Sequence, residues 1–360
     1  MAFWNKKIIN FEDKYFGMDI SDFSVKVFQL EKKENIDKIR SFNSENLNKG
    51  CIKNGRILSK DELSQAIKKV IKKAGPKKIN TKKVICSIPE SKTFLRMISL
   101  PPISEKEAQE SIKWEIEANI PLSADKIYFD WQFLNQENNR QNILAVAVAK
   151  EVIDDLVEVL EMSGLSVYGI EMESIATARS LILADAKKNK SSLIVDLGSG
   201  KTSFIVTNGS IPYFTSSIPF SAINITDTIA KSFNVSREEA EKIKRVQGIE
   251  RSIKNNVIFN SVQPLLENLS REIEKTIDFY QNMSQSSQSI DEIIISGGGA
   301  NLKGLVSYLA IRLSREIKLG NPWTNLNLGK NLPLISKEDS LYYATAIGLA
   351  MRKINYDDKT

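Results

Sequence analysis

The segment Ser192–Gly209, SLIVDLGSGKTSFIVTNG, constrains the fold more than any other part of the chain. One apolar run leads into Asp196, a second follows Thr202, and Gly, Ser and Lys join them. Two β-rich runs with such a short connection predict a hairpin. Because glycine has no Cβ, backbone N–H groups at its tip can approach a phosphate closely. A plain glycine-turn hairpin and a phosphate-binding hairpin both fit this segment alone.

Much of this pattern occurs twice. Tyr15–Leu30 again contains a strand, an acidic residue, a short polar turn and a second strand. Asp19 and Asp196 therefore take equivalent positions in two predicted hairpins. A pair of acidic hairpins that face one cleft can hold Mg²⁺ and phosphate groups from both sides. The duplication favours the phosphate-binding interpretation.

The composition limits the chemistry that this chain can perform. Its 360 residues, a length typical of two domains or one two-lobed unit, include no histidine. This excludes a Ser–His or Cys–His catalytic pair and any His-ligated metal. Cys51 and Cys86 are isolated, so neither a disulfide framework nor a zinc site is predicted. No apolar run approaches the about 20 residues of a membrane span, and Met1–Asn10 does not resemble a signal peptide.

Positive charge is concentrated near the N-terminus. Residues 1–83 hold 20 Lys and Arg against 10 Asp and Glu, and the remainder is net negative. A solvated helix face explains such a run, and so does contact with anionic lipid headgroups. Nucleic acid is not an expected partner, because no aromatic residues alternate with the lysines to stack on bases. The excess lies in Lys68, Lys69, Lys72, Lys73, Lys77, Lys78, Lys82 and Lys83.

Local signals predict the elements of the first half. Ser59 and Glu62 have the spacing of a capping box, which opens a helix that ends at Gly75-Pro76. Val84 to about Val167 alternates strands and helices, which predicts a compact α/β insertion. A second capping box, Ser104 with Glu107, opens its first helix. Its aromatic residues Trp114 and Trp131 are expected in the core, with contact to a partner as the alternative.

A third glycine-rich strand end is predicted in the second half. The buried strand Asp291–Ser296 runs into Gly297-Gly298-Gly299, where a flat ring can lie against backbone near a helix N-terminus. A lone glycine triplet is a weak signal, but its position after two acidic hairpins strengthens it. The predicted helices are Ile223–Phe233, one capped by Ser236 with Glu239, Gln263–Met283, and Leu341–Arg352, whose Ala344, Ala346, Gly348 and Ala350 permit close packing.

In this order, the motifs resemble those of the sugar kinase–actin–chaperone superfamily. Asp19–Lys26 resembles its first phosphate motif, Asp196–Thr202 its second, and Gly297–Gly304 its adenosine motif. Within it, the chain resembles the PilM family of type IV pilus assembly, actin-like proteins related to FtsA. The segments that carry this likeness are the insertion Leu100–Phe133, the helix Glu267–Tyr280 and two connecting helices at Glu173–Ala176 and Ala344–Gly348.

The resemblance implies an actin-like ATPase fold of the α/β class. Each of two lobes would hold a mixed β-sheet flanked by helices, and an α/β subdomain of the FtsA/PilM type would be inserted. The implied division is lobe I at 1–83, 169–190 and 331–360, the partner-binding insertion at 84–168, the lobe II core at 191–235 and 286–330, and a lobe II helical subdomain at 236–285.

The resemblance also implies that ATP and Mg²⁺ bind between the lobes. Asp19 and Asp196 would contact the metal through waters, with Lys26 beside the phosphates. Glu173 is the candidate for orienting an attacking water, although an acid favoured by a helix dipole explains it equally. The implied catalytic residues are Glu173, Asp19 and Asp196. The implied nucleotide-binding residues are Ser21, Lys26, Gly198, Ser199, Gly200, Lys201, Thr202, Gly297, Gly298, Gly299 and Asn301, with Glu241 and Lys244 at the ribose or adenine.

The implied function is a cytoplasmic ATP-binding adaptor, peripheral at the inner face of the plasma membrane. It would bind the cytoplasmic N-terminal tail of a PilN-like inner-membrane protein and link it to the pilus motor ATPase and platform proteins, with a homo-oligomer or ring as one form of the adaptor. The alternatives are an FtsA-like division or filament protein and a phosphotransferase of the sugar-kinase type. The polar segment Asn355–Thr360 differs from the C-terminal membrane helix of FtsA, which disfavours a self-tethered protein.

Two departures from the family pattern bear on hydrolysis. Where the first motif usually reads Asp-Ile-Gly, this chain has Ser21, which adds a side chain where a backbone amide should approach a phosphate. Where the family tends to carry Gly-Gly after the second hairpin, the chain has Ser221-Ala222. Weak or absent ATPase activity is therefore expected.

Overall fold

The computed structural model describes residues 14–119, 123–137, 139–184, 190–250, 256–283, 289–329 and 333–352. The predictions made for residues 1–10 and 355–360 lie outside these ranges.

The described strands are β1 (Phe16–Ile20), β2 (Ser24–Lys33), β3 (Ile36–Asn46), β4 (Ile52–Lys53), β5 (Arg56–Ile57), β6 (Gly75–Pro76), β7 (Lys83–Ile88), β8 (Thr93–Leu100), β9 (Ile127–Glu137), β10 (Arg140–Ala149), β11 (Ser166–Met172), β12 (Ser191–Leu197), β13 (Thr202–Asn208), β14 (Ile211–Ile218), β15 (Glu292–Ser296) and β16 (Ile317–Leu319). The described α-helices are α1 (Lys60–Lys72), α2 (Glu105–Asn119), α3 (Lys150–Met162), α4 (Glu173–Leu181), α5 (Ala222–Phe233), α6 (Arg237–Gln247), α7 (Asn256–Met283), α8 (Leu305–Leu313), α9 (Lys337–Ser340) and α10 (Ala344–Ala350).

The two large sheets repeat one strand arrangement. In the first, β3, β2 and β1 form an antiparallel meander, and β7 and β11 continue the sheet in parallel beyond β1. In the second, β14, β13 and β12 form the meander, and β15 and β16 continue in parallel beyond β12. Each meander begins with one of the two acidic hairpins. The predicted duplication is therefore present in the fold, as two mixed sheets flanked by helices.

A third sheet, in the order β8-β10-β9, packs with α2 around a small core of its own. The bounds predicted for the insertion, residues 84–168, differ from this unit. β7 pairs with β1, β11 pairs with β7, and Leu156 and Leu160 of α3 belong to the core of the first lobe. Strand periodicity identifies a strand but not the sheet that it joins. The predicted bounds therefore assigned β7 to the insertion, whereas it belongs to the first large sheet. The partner-binding role of the insertion stays a prediction.

Three further predictions need correction. Helix α7 begins at Asn256 rather than Gln263 and contains Pro264. The last helix is divided: residues Leu341–Tyr343 form a 3₁₀ turn, and α10 covers only Ala344–Ala350. Trp114, expected in the core, is 73% exposed, whereas Trp131 packs against the small core as predicted.

The small residues of α10 let it lie directly against backbone, as the sequence predicts. A Cβ at Gly348 would overlap the carbonyl of Ala176 in α4, and one at Gly17 of β1 would overlap the backbone of α10. The hydroxyls of Thr177 and Thr345 are 2.9 Å apart in this buried contact. Since Leu181 in the same α4 also packs into the core of the second lobe, α4 and α10 connect the two sheets.

None of the helices in the described ranges combines the length and the apolarity that crossing a bilayer requires.

Candidate functional site

The two acidic hairpins face each other across one cavity of about 840 Å³. Asp19 lies one residue before the end of β1 and Asp196 one residue before the end of β12, so equivalent strands place both carboxylates at this cavity. The predicted site residues that line it are Asp19, Ser21, Lys26, Glu173, Asp196, Gly198, Ser199, Gly200, Lys201, Gly297 and Gly298.

Asp19 is held by partners within the first lobe. Its Oδ2 accepts a hydrogen bond from Lys26 Nζ at 2.9 Å, and its Oδ1 accepts one from Ser87 Oγ at 2.9 Å. Burial opposes the charge of Lys26, but the neighbouring Asp19 carboxylate raises the pKa of Lys26 above its ordinary value. This lysine therefore stays charged beside the cavity.

The Asp196 carboxylate differs from that of Asp19 in its contacts. Within the described residues its side chain accepts no hydrogen bond and forms no ion pair. Burial raises the pKa of Asp196 to about 6, Lys26 opposes this, and the carboxylates of Glu173 and Asp19 add to it. A cation in the cavity would relieve this energetic cost.

The turn after β12 offers backbone donors. The N–H of Gly198 bonds the carbonyl of Lys201 at 3.0 Å, which closes the turn. The N–H groups of Ser199 and Gly200 make no hydrogen bond within the described chain. Two open amides on a glycine-containing turn form a site for a phosphate oxygen. Thr202 does not contribute its hydroxyl, because that group donates to the buried carbonyl of Phe220 at 2.8 Å.

The turn after β1 is different, because Ser21 uses its donors internally. The N–H of Ser21 bonds the carbonyl of Ser24 at 2.9 Å, and Ser21 Oγ accepts from the N–H of Ser24 at 3.2 Å. The Asp22 carboxylate accepts from the N–H groups of Asn54 and Gly55 at 2.6 and 2.9 Å. This turn therefore supplies fewer free amides than the turn after β12.

Glu173 connects the lobes. It is the first residue of α4, and its carboxylate forms an ion pair with Lys201 and accepts the N–H of Glu90 at 3.0 Å. Glu90 is itself buried against Thr215 of β14, and burial raises the pKa of Glu90 to about 6. Both interpretations of Glu173, as a water-orienting residue and as a helix N-terminal acid, are compatible with this position.

The glycine triplet lies at the end of β15, as predicted. Gly297 has φ of +80°, and a Cβ there would lie 2.8 Å from Asp196 Oδ1. A 3₁₀ turn at Gly298–Asn301 follows, and α8 begins only at Leu305, so the expected helix N-terminus is displaced from the triplet. Gly298 faces the ring of Tyr342, and Asn301 Nδ2 donates to the carbonyl of Glu338 at 2.8 Å.

Glu241 and Lys244 do not line this cavity. They pair with each other on α6 at 2.7 Å, and Lys244 Nζ also donates to the carbonyl of Ala222 at 3.1 Å. Although burial opposes it, hydrogen bonds from Lys244 and Thr226 lower the pKa of Glu241 to about 2. A direct contact of this pair with ribose or adenine stays a prediction, as do the roles of Gly299 and Asn301.

Four residues at the site were missed from the sequence: Phe23, Ser87, Glu90 and Tyr342. An aromatic residue inside the polar turn at Phe23 was a usable signal. Ser87, Glu90 and Tyr342 carry no local signal, because only the tertiary fold brings them to the cleft.

The same cavity continues away from the acidic turns into an apolar groove. The groove lies between the first lobe and the three-stranded sheet, and charged side chains of Arg56, Lys92, Glu151 and Asp155 border it. Its apolar lining comes from Ile52, Ile57, Phe94, Ile127, Val148, Val152 and Leu156.

The donor set fits a magnesium–nucleotide better than a metal held by protein alone. Among the described residues, no group of three or more His, Cys, Asp or Glu side chains could hold a metal ion. Mg²⁺ commonly takes one or two carboxylates, with water and phosphate oxygens completing its octahedron. Asp196, Asp19 and the two open amides of Ser199 and Gly200 match that requirement.

Comparison with known proteins identifies relatives over most of the chain. The family model of the type IV pilus assembly protein PilM matches residues 17–354. The cell division protein FtsA of Staphylococcus epidermidis is 23% identical over 351 residues, which span 86% of this chain and 75% of FtsA.

Solved structures confirm the predicted actin-like fold. A chain of the PilM–PilN type IV pilus biogenesis complex is 24% identical with a TM-score of 0.79, and the alignment covers 94% of this chain and 98% of that one. MreB5 of Spiroplasma citri, crystallised with ADP, is 12% identical with a TM-score of 0.52, and the coverages are 93% and 94%.

The raised pKa of Asp196 predicts a pH effect on stability. In the folded protein this carboxyl holds its proton up to about pH 6, whereas the ordinary value is 3.8. The folded state thus binds more protons between these values, and the free energy of unfolding decreases as pH rises through them. We expect Asp196→Asn to be more stable than the wild type at neutral pH by about 1–2 kcal/mol. Chemical denaturation at several pH values measures this.

Asp227→Asn is the control, since this exposed carboxylate pairs with Arg237 at the surface. Glu90 contributes a decline of the same sign, so the slope in Asp196→Asn should be reduced rather than abolished. An unchanged slope in Asp196→Asn would contradict the assignment.

Proposed function

Because the chain belongs to the family of the type IV pilus assembly protein PilM, we propose that it is a cytoplasmic, nucleotide-binding adaptor of a type IV pilus platform. One observation carries this proposal: a single cavity joins the two acidic turns to an apolar groove beside the inserted sheet. Such a cavity can hold a nucleotide at one end and a partner's peptide at the other. A phosphotransferase of the sugar-kinase type would not require a groove for a partner's peptide.

The nucleotide end would hold ATP with Mg²⁺. The open amides of Ser199 and Gly200 would bind phosphate oxygens, and Asp196 with Asp19 would face the metal, directly or through waters. Lys26 supplies a fixed positive charge at this position. The metal, when bound, neutralises phosphate charge; the chain itself positions the phosphates and excludes water. MreB5, which shares the fold, was crystallised with ADP, and this supports nucleotide binding here.

Hydrolysis would be slow. The N–H groups of Ser21 and Ser24 are already bonded within the turn after β1. Phosphate would therefore be bound firmly only by the turn after β12. Glu173, the candidate for orienting water, is already engaged by Lys201 and by the N–H of Glu90. A carboxylate whose oxygens already accept from an ammonium group and a backbone N–H has few lone pairs left to orient a water.

We expect the wild type to bind ATP more tightly with Mg²⁺ than without it, and Asp196→Ala to lose that difference. Calorimetry with and without Mg²⁺ measures both. Asp227→Ala, which removes an exposed carboxylate outside the cavity, serves as the control.

Steady-state phosphate release should stay well below the about 10 s⁻¹ of a typical enzyme. Folded wild type without ATP affinity, or turnover at ordinary enzymatic rates, would contradict the proposal.

The groove end would bind the N-terminal cytoplasmic tail of a PilN-like inner-membrane protein. An extended peptide can place apolar side chains against Ile57, Phe94 and Val152, while its charged residues meet Arg56 or Glu151 at the border. Ordering a flexible tail costs free energy, so micromolar affinity is expected. The solved PilM–PilN complex, one chain of which shares this fold, supports the assignment.

Placing a charge in the groove should abolish tail binding. Ile57→Glu introduces a carboxylate among apolar side chains, and we expect the affinity to fall by at least about tenfold. The neighbouring residue provides a matched control: Leu58 is 56% exposed and lies outside the cavity lining, so Leu58→Glu should bind normally. Fluorescence anisotropy with the labelled tail peptide measures both variants, after circular dichroism confirms folding. Equal binding by the two variants would place the tail elsewhere.

The lysine-rich surface, defined by α1 and residues 73–83, would face the anionic bilayer that carries the tail. Lys69 and Lys77 are paired with Glu45 and Glu31. Lys68, Lys72, Lys78 and Lys82 are exposed and make no ion pair within the described residues. Each lysine near an anionic surface contributes about 1 kcal/mol at moderate ionic strength.

Reversing two of these charges should weaken binding to vesicles. We expect Lys68→Glu with Lys72→Glu to reduce partition onto vesicles of phosphatidylcholine and phosphatidylglycerol by at least about tenfold at low salt. The matched double variant Lys231→Glu with Lys242→Glu makes the same change in net charge on exposed residues of the second lobe. Equal partition of the two double variants in a flotation assay would remove the lipid contact from the proposal.

An adaptor also needs a surface for the motor ATPase or another platform protein. Trp114, on the helix of the inserted subdomain, is the most exposed aromatic residue described, at 73%. Exposed tryptophans commonly become central contacts of an interface, because they bury a large area with few rotatable bonds. We include this surface in the proposal; Trp114→Ala in a pull-down with the motor tests it, and unchanged capture would exclude it.

A further inference from the structure

We propose that two aromatic rings cover two nucleotide-binding glycines of the second lobe: Phe23 covers Gly200, and Tyr342 covers Gly298. We also propose that Tyr342 limits the affinity for the base of the nucleotide. The inference rests on the proposed nucleotide-binding function and deepens it. Both rings come from the first lobe, and both glycines belong to the second. Each glycine was expected to be open to ligand, since neither carries a Cβ.

Phe23 lies against the turn after β12. A Cβ added at Gly200 would overlap its ring, with Cδ2 at 2.9 Å and Cζ at 3.2 Å. The ring therefore occupies the side of Gly200 that the missing side chain leaves free. The N–H groups of Ser199 and Gly200 remain without hydrogen bonds in the described chain, so the amides stay available while the Cα face is covered.

Tyr342 covers the adenosine motif in the same way. Its Cδ2 lies 3.1 Å from the position of a Cβ at Gly298, tighter than the ordinary contact distance of about 3.5–4.0 Å between carbon atoms. Lys26 Nζ lies 4.5 Å from the centre of the same ring, within the range of a cation–π contact. Tyr343 packs edge-on against Tyr342 and is fixed among Phe28 and Phe42.

These contacts leave no space for a base on Gly298. A flat ring stacked on the glycine backbone needs the position that Tyr342 now fills. To bind there, a nucleotide must rotate Tyr342 away, which breaks the contact with Lys26, or open the lobes, which separates Tyr342 from Gly298. Phosphates that bind the N–H groups of Ser199 and Gly200 do not need the position over Gly298 that Tyr342 fills.

If Tyr342 obstructs only the base, its removal should change the binding of ATP but not the binding of a polyphosphate that has no base. Tyr342→Ala should tighten the binding of ATP about threefold to tenfold, since no ring then has to be moved off Gly298 before the base binds. Binding of inorganic tripolyphosphate should not change. Tyr342→Phe keeps the ring and should restore the wild-type affinity for ATP. Calorimetry in the presence of Mg²⁺ measures the three proteins with both ligands.

Each outcome decides the question. Tighter ATP binding by Tyr342→Ala with unchanged tripolyphosphate binding supports the inference, and equally tighter binding of both ligands would overturn it. ATP affinity that is equal or weaker in Tyr342→Ala would overturn the covering role and leave nucleotide binding intact. Absence of ATP binding in all three proteins would refute nucleotide binding itself, and the covering role with it.

A second measurement tests the Phe23 contact without any ligand. Gly200→Ala should lower the thermal midpoint of unfolding, because its Cβ overlaps the Phe23 ring. Adding Phe23→Ala removes that ring, so the double variant should lose less than the sum of the single variants. Strict additivity would show that Phe23 does not lie on Gly200 in solution.

Discussion

The ion pair between Lys201 and Glu173 is the interaction on which the shape of the cleft depends. It joins the turn after β12 to the first residue of α4, and Glu173 also accepts the N–H of Glu90 where the inserted segment begins. Both side chains are mostly withdrawn from water, at 32% and 16% exposure, so neither charge is easily left alone. The Glu173 carboxylate thus connects the two lobes and the inserted segment through one ion pair and one hydrogen bond. A phosphate that entered the cavity would compete with Glu173 for Lys201.

Features of the fold that depend on residues close in sequence could be predicted, and features that depend on residues distant in sequence could not. The capping boxes at Ser104 and Ser236 are present as predicted, because both partners lie within one helical turn. The two acidic hairpins and the small-residue face of α10 also follow from local pattern. The sheet that β7 joins and the exposure of Trp114 depend on what packs opposite, and neither leaves a trace in adjacent residues.

The candidate site shows the same limit at the level of single residues. The sequence identified Asp19, Asp196 and the glycine turns, since a carboxylate at a strand end and a missing Cβ are visible directly. It could not show what fills the space that a glycine leaves. In this chain aromatic rings of the opposite lobe fill it, and Glu241 pairs with Lys244 instead of lining the cavity.

The packing of α10 on β1 has a consequence for how the chain is made. Tyr15, just before β1, donates a hydrogen bond to the carbonyl of Ala350, 335 positions later, and Gly17 lies against the same helix. Strand β1 therefore leaves the ribosome long before α10, and its buried face stays uncovered until that helix has been made. Contacts of such sequence separation slow folding and prolong the exposure of apolar surface. During synthesis we expect the second lobe, contained in a shorter stretch of chain, to become compact first.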